Sequence, residues 1–269
     1  MRQTTPATNS ARPAWRAAFL GGLSGLLLAL VIGAPARWLG SLVQWATQHR
    51  VQLDDPRGTV WSGSARLVLT GGPGTQDRRS LPGRIAWGWQ AAWPGLTLMV
   101  SAECCTTQAL QWQLLASRSG PVLVLQDQQS NWPMAVLSGL GAPWNTLQAE
   151  GSLQWQSTGL KMHWRQGALL WQGHTQLEVQ QLTSRLSTLR PMGSYRITLQ
   201  GSDLGSATPE INLQTLQGPL LLQGRGQWMA HRLRFAGEAS AAEGAEAALN
   251  NLLNIIGRRE GPRSRLSLG

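Results

Sequence analysis

Charge is scarce in this chain of 269 residues, where only 13% of positions are Asp, Glu, Lys or Arg. Carboxylates are the scarcer kind: thirteen acidic residues against twenty-three Lys and Arg give a formal net charge of +10. One Tyr and two Phe accompany fourteen Trp, so the aromatic area is nearly all indole. Each indole carries an N–H that needs a partner when buried. Gln, Ser and Thr supply most of the remaining polarity, a makeup suited to half-buried pleated sheets rather than charged surface helices. The positive excess does not make a nucleic-acid surface. Basic residues are scattered, clustering only at the two ends, and no stretch interleaves them with aromatics or forms a recognition helix. That charge suits membrane topology at one end and an exposed tail or a partner at the other.

Cysteine is also nearly missing. Cys104 and Cys105 are adjacent, and a bond between them would staple nothing distant, so no disulfide framework exists. The pair reads as two small half-buried residues near a strand end, and the redox compartment does not follow from it. His49, His163, His174 and His231 stand far apart, with no Cys or carboxylate at ligand spacing. No Gly-x-Ser-x-Gly elbow occurs, and Gly224-Arg-Gly226 lacks the third glycine and following helix of a dinucleotide loop, so it reads as a strand bend. These absences leave no metal, no cofactor and no catalytic constellation to expect.

Apolar length is present only near the N-terminus. Ala17 to Ala36 is uncharged and rich in Leu, and Trp15 and Trp38 bracket it where interfacial indoles belong. Gly21, Gly22 and Gly25 provide a small-residue face for another helix. Arg2, Arg12 and Arg16 precede the run without an acidic residue, which predicts a cytoplasmic tail over 1–16, a transmembrane helix over 17–37 continuing toward 48, and the remainder outside. A cleaved signal peptide is the competing reading. Pro35, Arg37, Trp38 and the amphipathic stretch Leu39 to Ala46 favour the uncleaved anchor.

Beyond residue 49 the period changes to two. Alternation predicts strands at Trp61–Leu69, Ile85–Trp89, Leu96–Val100, Leu110–Leu114, Val122–Leu125, Leu153–Trp155, Leu160–Trp164, Leu177–Val179, Tyr195–Leu199, Ile211–Leu213, Leu220–Leu222 and Leu233–Phe235. Asp54 to Gly58 reads as a turn and Gly71 to Ser80 as an exposed loop. The expected fold is mainly β: an N-terminal transmembrane helix, then a curled antiparallel sheet over 49–257 with two short helices. Those helices are Trp132–Leu140, capped by Asn131, and Ala242–Ile256, followed by Gly257 at its C-cap. Gly58 to Gly63 and Gly167 to Gly173 are similar enough to suggest two like halves, 51–150 and 151–257. Residues 258–269 read as a basic C-terminal tail.

Several segments in order resemble the type II secretion system protein N family. They are Asp55-Pro-Arg-Gly-Thr-Val-Trp-Ser-Gly-Ser-Ala65, Leu81-Pro-Gly-Arg-Ile-Ala-Trp87, Gly193-Ser-Tyr-Arg-Ile-Thr-Leu-Gln-Gly201, Leu213 to Gly218, Leu222 to Trp228, Arg234 to Ala239 and Ala248 to Arg259. The middle, Gln129 to Trp144 and the cysteine pair, departs from it. The resemblance implies a single-pass inner-membrane protein with its main domain in the periplasm. It would be an accessory component of the machine exporting folded exoproteins across the outer membrane, with other secretion components as partners and neither enzymatic activity nor a cofactor. An alternative stays open: an envelope lipid-handling groove similar in general architecture to AsmA-type proteins, with acyl chains along the Trp/Leu face. The same face is read first as plain core, packed on itself and on the Ala242–Ile256 helix. The residues singled out are Gly58, Trp61 and Gly63, as a fold-defining corner, and the segment 252–259 (Leu252, Leu253, Ile256, Arg258, Arg259), as a helix packing on the sheet or on a partner.

Overall fold

The computed structural model describes residues 12–118, 120–165, 168–201, 209–229 and 232–268. Two helices come first, α1 (Arg12–Ile32) and α2 (Ala36–Ala46). The first half of the sheet contributes β1 (Val51–Gly58), β2 (Ser62–Thr70), β3 (Arg78–Ser80), β4 (Ile85–Ala92), β5 (Gly95–Ala102), β6 (Leu110–Ser117), β7 (Gly120–Leu125) and β8 (Gln128–Pro133). A 3₁₀ helix (Met134–Leu140) and the single turn α3 (Trp144–Leu147) follow. Then come the long hairpin β9 (Glu150–Arg165) and β10 (Ala168–Thr183), and β11 (Gly193–Gln200), β12 (Glu210–Gln217), β13 (Leu220–Met229) and β14 (Arg232–Ala241). The chain closes with α4 (Glu246–Ile256), β15 (Arg258–Glu260) and β16 (Arg263–Leu268).

All sixteen strands join one antiparallel sheet, in the order β1-β2-β4-β5-β6-β7-β9-β10-β11-β12-β13-β14-β16-β15, with β3 on β2 and β8 on β9. A sheet this wide twists and coils rather than lying flat. Register keeps apolar residues on one face across the strands. Ala91, Leu96, Leu114, Leu123, Met162 and Trp171 are successive cross-strand neighbours. Further along, Leu177, Ile197, Leu213, Gly224, Gly237 and Leu266 do the same. Every packed helix lies on this face. α2 sits against Ala65, Trp87 and Leu98, the 3₁₀ helix against Leu67 and Ile85, and α4 against Leu213, Leu222 and Ala239. The opposite face carries Gln113, Gln156, Gln176, Thr198, Asn212 and Arg225, the out-pointing partners of that alternation.

Several expectations are corrected. Among the described residues no helix is long and apolar enough to cross a membrane. One helix over 17–37 does not form, because α1 stops at Ile32 and α2 begins at Ala36. Asn131 does not cap a helix. It lies in β8, opposite Gln154, with its N–H donating to Cys105 O at 2.8 Å, and helical turns begin only at Met134. Asp54 to Gly58 is no turn but the irregular end of β1, where Asp55 takes a positive φ. The Gly71 to Ser80 loop ends in β3. Residues 258–268, expected as a tail, form β15 and β16, and Ser264 is fully buried with its hydroxyl donating to Leu253 O. Cys104 and Cys105 are disulfide-bonded to each other, within a turn. Gly224 and Gly226 are not a bend: they continue β13 and leave room for the Phe235 ring, whose Cζ is 2.4 Å from where a Gly224 Cβ would stand. Gly167 of the suggested repeat lies outside the described residues.

Candidate functional site

The corner of Gly58, Trp61 and Gly63 is where the helices meet the sheet. Gly58 turns the chain with φ +87°, and a Cβ there would stand 2.5 Å from Ser62 O. Thr59 N–H donates to Ser62 O at 2.9 Å, and the Thr59 hydroxyl accepts from the N–H groups of Trp61 and Ser62. Opposite Gly58 in register, Gly63 leaves space for the Trp87 indole, which donates to both Thr59 O and Val60 O at 3.2 Å. Trp61 reaches the other way, donating from Nε1 to Val31 O at the end of α1 at 2.7 Å. Val60 N–H donates to Ala34 O at 2.9 Å, and Pro35 bridges Thr59. Behind the corner, Arg84 ties β1, β2 and β4 by donating to Asp55 and Ser64. Arg57 and then Arg84 hold the Asp55 carboxyl below its usual range through these hydrogen bonds.

The second set of expected residues does separate work. Leu252 and Leu253 are buried in the cluster around Leu249, Met192, Tyr195 and Leu220, and Ile256 packs at its margin. The amphipathic pattern explains this, since 249, 252, 253 and 256 share one helical face. Tyr195 donates its hydroxyl to Leu220 O at 3.0 Å, and burial pushes its phenol well up. Arg258 and Arg259 stand in β15 rather than at a helix end, and Gly257 is extended rather than left-handed. The corner and this cluster occupy opposite ends of the sheet, so the two groups do not form one site.

Between the helices lies a third feature. On the apolar face, Trp89, Leu98, Trp112 and Leu125 form a cross-strand row beside the row through Leu114 and Met162. Trp89, Leu96, Trp112, Leu114 and Trp164 are each at least 36% exposed there. The alternation identified these residues, but it could not reveal that α2 and α4 cover only the flanks. Among the described residues, no group of His, Cys, Asp and Glu is placed to hold a metal ion. The sheet forks between β6 and β8 at a cleft of about 580 Å³ lined by Gln111, Gln126, Asp127, Gln128 and Gln156, which no sequence motif announced.

The family model of type II secretion system protein N matches residues 49–266, all of the sheet but the last two residues of β16. The chain belongs to that family. No curated protein and no solved structure gives a match. In this protein N family member the match begins after α2 and includes both the corner and the C-terminal cluster. The quoted segments therefore carry the sheet's turns and packing. Arg84 and Trp87, neither singled out as a site residue, lie in one of them and brace the corner.

Proposed function

We propose that this protein is an accessory component of the type II secretion system, acting in the inner membrane and periplasm to support export of folded exoproteins, by binding and not by catalysis. The observation that carries the reading is family membership over residues 49–266, nearly all of the sheet. In the proposal α1 enters the inner membrane with its N-terminus in the cytoplasm and holds the sheet in the periplasm. Its all-round exposed Phe19, Leu20, Leu28 and Ile32 support insertion, and the basic residues before it support that orientation. Contacts with other secretion components run through α1 and through the open sheet edges at β1 and β15, since unpaired strand edges accept further strands. Photocrosslinking in cells from positions on α1, β1 and β15 tests this. Capture of other secretion components is the expected result. Capture of none, with exoprotein release unchanged by deletion, overturns it.

A second reading is favoured by the half-exposed row on the apolar face: a trough that handles lipid acyl chains. Soluble proteins seldom leave contiguous large apolar side chains in water without a partner. Mass spectrometry of the detergent-purified full chain is expected to find phospholipid retained above the level of an unrelated membrane protein, and its absence would reject the trough.

A further inference from the structure

Antiparallel pairing puts every other connection at the same end of the sheet, and α1 joins one of those ends. The ends of β1, β4, β6 and β9, with the starts of β2, β5, β7 and β10, share the end where Trp61 grips Val31. Neighbouring bonds tie them together: Trp89 N–H donates to Trp61 O at 2.8 Å, and Ala116 N–H to Pro94 O at 3.3 Å. The large exposed indoles gather toward this end. Trp93, at the tip between β4 and β5, is 99% exposed, and Trp61 and Trp164 are 40% and 43% exposed. The exposed apolar rows begin directly beneath them.

Charge is segregated along the same axis. Residues 86–102, 109–126 and 151–177, which supply the three hairpins, contain no Asp or Glu, yet hold Arg118, Lys161 and Arg165. The flanking carboxylates Glu103, Asp127 and Glu150 all fall at the opposite end. Asp55, near the corner, is held by Arg57 and Arg84, but within these three hairpins a surface meant for bulk water has no reason to keep indoles at one end and carboxylates at the other. A bilayer surface does: indoles favour the headgroup interface, and anionic lipid attracts Arg and Lys while repelling carboxylates.

We infer that the hairpin tips around Trp93 and Trp164 form a rim that rests on the surface of an anionic phospholipid bilayer, so that the apolar face of the sheet opens toward the membrane. This rests on the reading that α1 inserts into that membrane. It goes further in fixing which end of the sheet faces the lipid and which residues touch it.

The test uses the full chain in bilayers of phosphatidylethanolamine and phosphatidylglycerol, with a nitroxide attached in turn to Leu26→Cys, Trp93→Cys and Gln76→Cys. The native cysteines are bonded to each other and take no label. Collisions with oxygen, which concentrates in lipid, are compared with collisions with a water-soluble nickel chelate. The expected result is an oxygen-to-nickel ratio at Trp93→Cys several-fold above that at Gln76→Cys, a loop position at the far end, with Leu26→Cys highest. A Trp93→Cys label as wet as Gln76→Cys, while Leu26→Cys sits in lipid, overturns the rim and leaves the anchor standing. A wet Leu26→Cys overturns the anchor, and the rim with it. Lipid contact at Gln76→Cys as well would mean that the sheet lies flat, which also overturns the rim.

Discussion

Gly63 and Gly88 are neighbours at the same corner, opposite Trp87 and Ser62 in register, and the structure assigns them opposite responses to one methyl group. At Gly63 a Cβ would stand 2.5 Å from Arg57 O, 2.7 Å from Trp87 Cζ2 and 3.0 Å from Thr59 O. Two of these atoms are backbone, and the indole is pinned by its bonds to Thr59 O and Val60 O, so none moves freely. Overpacking of this kind costs about 1–3 kcal/mol, and losing the indole's hydrogen bonding costs about 1 kcal/mol more. The stiffer unfolded chain returns only about 0.4–1 kcal/mol. Gly63→Ala should therefore lose about 1–3 kcal/mol net. At Gly88 a Cβ meets nothing within 4 Å, so Gly88→Ala should be neutral or gain a fraction of a kcal/mol. For a domain near 200 residues, each kcal/mol moves the midpoint by about 2–4 °C. Thermal unfolding of the two variants in the same detergent, followed by near-ultraviolet circular dichroism of the indoles, reads the difference directly. Equal midpoints for Gly63→Ala and Gly88→Ala would refute the reasoning.

Three further predictions follow from burial, charge and redox state. Leu253→Ala removes a side chain that is 1% exposed and should cost about 2–5 kcal/mol in denaturant unfolding; Ile255→Ala, at a position 59% exposed, should stay within about 0.5 kcal/mol. Because the folded state lowers the Asp55 pKa, its contribution is present above the ordinary carboxylate range and is lost as pH falls through the depressed value. Asp55→Asn, tolerated at a positive φ, should lower the midpoint at neutral pH and flatten the acid limb of midpoint against pH; a limb unchanged in steepness counts against this. Alkylation of the unreduced protein should add no mass at Cys104 or Cys105, and alkylation after reduction should add two adducts; labelling without reduction would exclude the disulfide.

The strands were legible in the sequence because one face of the sheet is apolar. Ile85, Trp87 and Trp89, or Tyr195, Ile197 and Leu199, alternate cleanly and fall in β4 and β11. The signal failed where a residue's job is set by something distant in sequence. Asn131 and Pro133 look like a helix start, but β9 offers β8 an unpaired edge, and pairing along it outweighs the local preference. Arg263 and Arg265 look like a solvated tail, yet Leu266 between flanking polar residues is a strand pattern too short to stand out, and β14 had an edge to fill. At the candidate site, Gly58, Trp61 and Gly63 were readable as a corner because glycines there imply close approach. That the corner holds α1 was not readable, because the bond from Trp61 to Val31 joins residues thirty positions apart.

The bond from Trp61 to Val31 also governs how firmly α1 and the sheet move together. Among the described residues, three ties hold the link at Ala34 and Pro35 to the corner: Trp61 Nε1 to Val31 O, Val60 N–H to Ala34 O, and the Pro35 bridge to Thr59. α2, immediately after, buries only Ala36 and Gly40 fully, while Trp38, Leu42 and Trp45 stay exposed. Trp61→Phe keeps the aromatic bulk and deletes the donor. A hydrogen bond this exposed contributes about 1 kcal/mol, which corresponds to a roughly five-fold larger population with the link undocked. Arg37 sits at that point, and trypsin must bend α2 away from β1 to cut there. When opening is fast relative to cleavage, the cutting rate follows the open population. Limited proteolysis of the detergent-solubilised full chain should then release the fragment beginning at Trp38 about five-fold faster from Trp61→Phe than from the parent, with cleavage inside the sheet unchanged. Equal rates at Arg37 would mean that α2 packing alone fixes the helices on the sheet, and that the Trp61 corner turns the chain without fastening it.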